Sequence, residues 1–290
     1  MKRKYFYLLM FIIIVIFFNF VITSASASET TSWFRIDRIN ILVLLLVFSS
    51  AVLLYIRSAK KGKEFFIRKI AGLDAVEEGV GRATEMGRSV LFIPGIDELD
   101  EIQTIAGLSI LGKVAKITAQ YNTPLLVPVR YPLVLAAAQE SIKGAYYDMG
   151  KEEEYDPEMA RYVAGEQFAF VAAVHGIMYR DKPATNVYMG AFYAESLLLA
   201  EEGQASGAIQ IAGTANPEQL PFFIAACDYT LMGEELFAAS SYLSKEPLML
   251  GSLKGQDWMK IVLVICILLG VIFESFNLGG GFFYKLFIEH

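Results

Sequence analysis

Apolar positions along this chain form two kinds of run. Three are long and lie near the ends: Tyr5–Ile22, Ile39–Ile56 and Trp258–Phe273. A helix needs roughly 20 apolar residues to cross a hydrocarbon core of about 30 Å, so these runs predict membrane segments. Residues 1–28 predict a signal peptide or a first transmembrane helix. Lys2, Arg3 and Lys4 form a basic start, and Ala25-Ser26-Ala27 supplies the small-x-small pattern for cleavage. Residues 39–57 and 258–274 predict two transmembrane helices. Residues 275–290 are then an extracytoplasmic tail, in which Gly279-Gly280-Gly281 precedes Phe282, Phe283 and Tyr284.

The middle of the chain has a different rhythm. Four short apolar runs, Ser89–Ile93, Leu125–Val129, Asn186–Met189 and Ala208–Ala212, are bounded by Pro or Gly. Continuous apolar runs of this length mark strands buried on both faces. Between them lie stretches of helical periodicity: Gly72–Met86, Glu98–Gln120, Leu133–Tyr147, Glu158–Tyr179, Ala194–Glu202 and Pro217–Leu243. Such alternation predicts an α/β fold, with a mostly parallel sheet sandwiched by helices. Right-handed crossovers then give a Rossmann-like domain over residues 60–257. A double-helix crossover is expected between the second and third strands. It breaks at Tyr155-Asp156-Pro157-Glu158, with Asp156 as N-cap and Pro157 opening the helix. Lys151-Glu152-Glu153-Glu154 reads as a solvated loop.

Charge placement orients the spans. Arg57, Lys60, Lys61, Lys63, Arg68 and Lys69 follow the 39–57 span, whereas only Arg35 and Arg38 precede it. Lys254 and Lys260 stand at the entrance of the last span and Glu274 at its exit. Positive charge is retained in the cytoplasm. The expected location is therefore a bacterial inner membrane, with residues 60–257 in the cytoplasm whether or not the first segment is removed.

Between residues 60 and 258 there are 17 Lys and Arg against 27 Asp and Glu, a balance of −10. An acidic surface excludes nucleic acid as a partner, which requires a basic face. Membrane lipid is an expected partner at the basic cluster, and a homo-oligomer or a membrane-complex partner at the small-residue helix faces. The two cysteines, Cys227 and Cys266, permit no disulfide framework or C-x-x-C metal site. That suits a reducing compartment.

Particular phrases carry a likeness. They are Gly72-Leu73-Asp74-Ala75, Arg82-Ala83-Thr84-Glu85-Met86-Gly87, Val90-Leu91-Phe92-Ile93-Pro94-Gly95, Val127-Pro128-Val129-Arg130 and Tyr193-Ala194-Glu195-Ser196. Gln210-Ile211-Ala212-Gly213-Thr214, Ala226-Cys227-Asp228-Tyr229, Gly233-Glu234-Glu235-Leu236 and the segment from Gly251 to Trp258 complete the set. The region of about residues 72–258 resembles an uncharacterised bacterial membrane-protein family, a domain of unknown function. The resemblance implies no activity, cofactor or catalytic residue.

Candidate chemistry must come from the residues. Open parallel sheets bind ligands beyond the carboxyl ends of their strands. Those ends offer Gly95 and Asp97, then Arg130, then Gly190, Glu195 and Ser196, and last Gly213, Thr214 and Asn216. Arg130 is a charge-assisted clamp for an anion, and Glu195 is the best-placed acid or base. The plain reading makes these residues turn glycines and helix caps, with Asn216 capping a helix at Pro217. No dinucleotide or phosphate-loop glycine motif follows a strand, and no cofactor or metal is expected. Cys227 and His175 form a nucleophile–base pair only if the fold joins them; packing residues are the simpler account. The expected function is a membrane-anchored ligand-binding or scaffold module. The alternative is a membrane-tethered enzyme acting on a small anionic substrate at the carboxyl edge.

Overall fold

The computed structural model describes residues 39–62, 71–244 and 247–275. The expected signal segment (1–28), the terminal tail beyond Ser275, and Arg35, Arg38, Lys63, Arg68 and Lys69 lie outside the described residues. The chain divides into two compact units, residues 66–246 and a unit of 1–65 with 247–290.

The 66–246 unit is an α/β domain. Helix α2 (Ala71–Glu85) leads into β1 (Val90–Ile93), α3 (Ile102–Tyr121), β2 (Leu125–Val129), α4 (Pro132–Asp148), β3 (Ala160–Tyr162) and α5 (Gln167–Asp181). The second half runs β4 (Thr185–Met189), α6 (Glu195–Ala205), β5 (Ile209–Thr214), α7 (Leu220–Ala226), β6 (Tyr229–Met232) and α8 (Glu234–Ser244). The six strands lie in the order β3-β2-β1-β4-β5-β6. Every neighbouring pair is parallel.

Strand alternation splits the core into two layers. Val90, Phe92, Val187, Met189 and Ile211 face one side, where they pack with α2, α3, α4 and α8. Leu91, Ile93, Tyr188 and Ala212 face the other, among Phe170 and Val174 of α5, Leu199 of α6 and Phe223 of α7. Strands covered on both faces must be apolar at nearly every position, which is why β1 reads Val-Leu-Phe-Ile.

The four strands read from the sequence are present, and two more join them. β3 lies inside the expected double-helix crossover, so Glu158–Tyr179 is not one helix. Asp156 does cap, but its Oδ1 accepts from the Glu158 amide at 2.9 Å to start a single 3-10 turn, Pro157–Met159. The chain then enters β3. β6 likewise interrupts the helix expected over Pro217–Leu243. A three-residue and a four-residue strand carry too few apolar positions to show a period of two, so helical flanks absorbed them.

The other unit contains α1 (Ile39–Lys60) and α9 (Pro247–Ser275). α9 begins at Pro247, well ahead of the apolar run at Trp258. The two helices touch along glycine: a Cβ at Gly251 would lie 2.5 Å from the Ile56 Cα, and one at Gly255 would lie 2.8 Å from the Val52 Cα. The helices are thus antiparallel, since later positions on α9 meet earlier ones on α1. Their outer surfaces are apolar and exposed, including Leu45, Leu46 and Leu53 of α1 and Ile261, Ile267 and Leu268 of α9.

Candidate functional site

In a parallel sheet every strand ends at one edge, and the order reverses between β1 and β4. That reversal point is where open α/β sheets hold ligands. The expected site residues gather along this edge. Gly95 and Asp97 follow β1, Arg130 follows β2, and Gly190, Glu195 and Ser196 follow β4. Gly213 and Thr214 end β5, with Asn216 just beyond.

At the reversal point the two backbones meet. The Ile96 amide donates to the Ala191 carbonyl at 2.9 Å. Gly95 has φ +83, and a Cβ on it would stand 2.8 Å from the Ala191 nitrogen. Gly190 has φ +147, and its Cβ would stand 2.7 Å from the Pro94 oxygen. Both positions therefore require glycine for left-handed backbone and for close approach. The Gly190 amide also donates to the Gly213 carbonyl at 2.9 Å, tying β4 to β5.

The polar side chains continue this stitching. Arg130 donates from Nε to the Gly165 carbonyl at 2.9 Å and from a terminal nitrogen to the Ile96 carbonyl at 3.2 Å. Its guanidinium stands 5.1 Å from the Tyr131 ring centroid, in cation–π range. The expected anion clamp thus binds the loops after β1 and β3 together. Tyr193 donates to Asp97 at 2.6 Å. That bond, then burial, pushes the Tyr193 hydroxyl up to about 12.

Glu195 opens α6 and is fully buried. One carboxylate oxygen accepts from the Tyr193 amide at 2.7 Å, and the other accepts from the Gln167 side chain at the start of α5. Ser196 Oγ lies 2.7 Å from the Tyr193 carbonyl and 2.7 Å from the Gln219 side-chain amide. Both partners are oxygen acceptors, the second being Gln219 Oε1, so the single hydroxyl proton serves the two in common. Asn216 does not cap a helix at Pro217, because α7 starts only at Leu220 with Gln219 before it. Instead Asn216 donates to the Phe192 carbonyl at 2.8 Å and accepts from Gln103 at 3.1 Å. Gln103 in turn accepts from the Ala215 amide at 2.7 Å and from the Thr214 hydroxyl at 3.3 Å.

Three glutamines missing from the expected site, Gln103, Gln167 and Gln219, are central to this network. Each stands at or beside the start of a helix that follows a strand. An amide at such a position can reach the next loop along the edge, a signal that only the strand order makes legible.

Apolar side chains sit on the same rim. Ile102 is 65% exposed, Leu133 63% and Phe168 55%. They occupy the first turns of α3, α4 and α5, and the half-exposed Tyr193 lies just before α6.

Cys227 and His175 do not work as a pair. His175 Nε2 is 3.2 Å from the Leu198 carbonyl. Burial, followed by the charge of Asp228, pushes the Cys227 thiol up to about 12, whereas a nucleophilic thiol needs a lowered value. Among the described residues no cluster of three His, Cys, Asp or Glu is arranged to hold a metal ion.

One family, described as "Domain of unknown function (DUF6754)", matches residues 29–284. No curated protein and no solved structure matches the chain.

Proposed function

The chain belongs to the DUF6754 family of domains of unknown function, and on that premise we propose that it is a membrane-anchored assembly module, whose α/β domain binds a protein partner at the carboxyl edge of its sheet. The observation that carries this reading is the state of that edge. Arg130, Asp97, Glu195, Ser196 and Asn216 hold neighbouring loops together. A site for a small anion would instead direct its cation and amide donors at the ligand. What the rim turns outward is Ile102, Leu133 and Phe168, the residue types that make up the cores of protein interfaces.

The domain's strand order supports a Rossmann-like reading, since 3-2-1-4-5-6 is the doubly wound order. Membrane anchoring is supported by Pro247–Ile272, which is long and apolar enough to cross a bilayer. The exposed leucines of α1 support a second span beside it. Arg57, Lys60 and Lys61 are exposed where α1 ends, which under the positive-inside rule supports a cytoplasmic side for the domain in a bacterial inner membrane with anionic lipid.

The test is thermal melting of the full chain in mild detergent against nucleotides, sugar phosphates and dicarboxylates. A ligand at 100 times its Kd adds about 2.7 kcal/mol, a shift of several degrees for a domain this size. The expected result is no shift. A shift that Arg130→Ala abolishes would replace this reading with a small-molecule site, and the tethered enzyme would then be the better account.

A further inference from the structure

The charge that the carboxyl edge turns outward has one sign. Arg130 is the only Lys or Arg in the loops that follow the six strands. Its guanidinium is already committed to the Gly165 and Ile96 carbonyls. The same loops carry Asp97, Glu98, Asp100, Glu101, Glu166 and Glu218. Among the described residues, none of these six forms an ion pair. Asp97, Glu101 and Glu166 accept from neutral donors: the Tyr193 hydroxyl and the Gln103 and Ala169 amides. Such bonds leave the negative charge in place. Glu166 also feels Arg130, but less than it feels the Ala169 amide. Glu98, Asp100 and Glu218 are exposed, with no side-chain partner among the described residues. Away from this edge acids do find bases, as Asp148 finds Lys116 and Glu154 finds Lys151.

These acids are interleaved with exposed apolar side chains. Ile102 directly follows Glu101, and Phe168 is two residues beyond Glu166. The half-exposed Tyr193 ring is joined to Asp97 through its hydroxyl. Gathered carboxylates repel one another, and a concentrated field of one sign attracts the opposite sign from solution.

We propose that the partner at this edge is a basic, amphipathic segment of another protein, with Lys or Arg opposite the carboxylates and apolar side chains seated against Ile102, Phe168 and Tyr193. This partner rests on the assembly reading above and gives it a chemistry. Charge complementarity makes the choice. Anionic lipid and nucleic acid are repelled by such an edge. A second copy would bring up a domain with 27 Asp and Glu against 17 Lys and Arg between residues 60 and 258. A small polyvalent cation would leave the apolar side chains in water. Apolar anchors with charges around them are the ordinary build of a protein interface.

The test uses the full chain in mild non-ionic detergent and three fluorescent helical peptides. One combines lysine and leucine at helical spacing, one glutamate and leucine, and one lysine and serine. Binding is read by anisotropy, with the signal from empty micelles subtracted. The lysine–leucine peptide should bind, and about tenfold more weakly as salt rises from about 50 to 300 mM. The Glu98→Gln, Asp100→Asn, Glu218→Gln triple variant should lose about tenfold. Ile102→Ser with Phe168→Ser should also lose about tenfold. Reversing the three charges, Glu98→Lys, Asp100→Lys and Glu218→Lys, should make the chain take the glutamate–leucine peptide, a gain that misfolding cannot produce. No binding of the lysine–leucine peptide, or binding that ignores the acid variants, overturns the proposal. Equal binding of the lysine–serine peptide makes the edge a cation site and overturns it as well. So does a doubled chain mass in light scattering that the triple variant returns to one copy, which would make a second copy the occupant. The assembly reading fails separately, if a small molecule raises the melting point and Arg130→Ala removes the shift. If the unaltered chain binds the glutamate–leucine peptide and loses it with Ile102→Ser and Phe168→Ser, protein docking stands and only its basic chemistry falls.

Discussion

Asn186 sits in the centre of β4, fully buried, and neither atom of its amide has a hydrogen-bond partner among the described residues. It shares a sheet face with Tyr188 and with Gln210 of the neighbouring strand, its partner in register. Those two are satisfied: Tyr188 donates toward Gln210 at 2.9 Å, and Gln210 donates to the carbonyls of Ala200 and Ala226 at 2.9 and 2.8 Å. The Asn186 amide is close enough to Tyr188 to counter, weakly, the burial that raises its hydroxyl well above the ordinary range. A buried amide without a partner costs about 1–3 kcal/mol. Asn186→Leu keeps the volume and removes that penalty. The full chain in detergent should therefore melt about 2–4 °C higher, the shift for roughly 1 kcal/mol in a domain of this size. A lower melting point would show that the amide is satisfied in solution and that the strand needs it.

At the scale of elements, α3 illustrates how much a pattern reveals. Its apolar spacing located the helix to within a few residues. Its glycine is explained only by contact, because a Cβ on Gly107 would overlap the Met189 carbonyl oxygen at the end of β4. The helix crosses the sheet edge so closely that no side chain fits. Gly107→Ala should lower stability by about 1–3 kcal/mol, the range for overpacking, although alanine is the better helix former. A urea or thermal melt reads this directly. No loss, or a gain from propensity alone, would show that α3 can move away from β4. The short strands teach the converse. β3 begins where the Ala160 amide returns to Pro157 after one 3-10 turn, and β6 alternates too briefly to stand out from α7 and α8. Edge strands this short are placed by pairing with β2 and β5, which no local pattern contains.

For the molecule as a whole, orientation is the property most open to direct test. The acidic domain follows a helix that ends in Arg57, Lys60 and Lys61. Lys and Arg close to the end of a span resist export, whatever the net charge of the domain beyond them. A cytoplasm-active reporter fused after Gly150, in the exposed turn beyond α4, should therefore be active, and an export-dependent reporter at the same place should be silent. The opposite pair of results would reverse the topology and remove the argument that the cysteines stay reduced.

Hydrophobic period and charge, read from the sequence by themselves, determined the α/β class, four of the six strands, the existence of long apolar helices at the ends, and the membership of the edge residues in one region. These follow from local rules: burial demands apolar side chains at the period of each element, and that demand is written along the chain. Tertiary structure decided the partners of the edge residues. Arg130, Glu195 and Asn216 look identical in sequence whether they hold a ligand or hold neighbouring loops, because a hydrogen-bond donor is indifferent to its acceptor. Only strand order brings Ile96 and Gly165 to Arg130, Gln167 to Glu195, and Gln103 to Asn216. The surroundings of Asp257 on α9 are of the same kind. Its charge is plain in the sequence, but its place beside an apolar stretch comes from two glycines meeting Ile56 and Val52 some two hundred residues away.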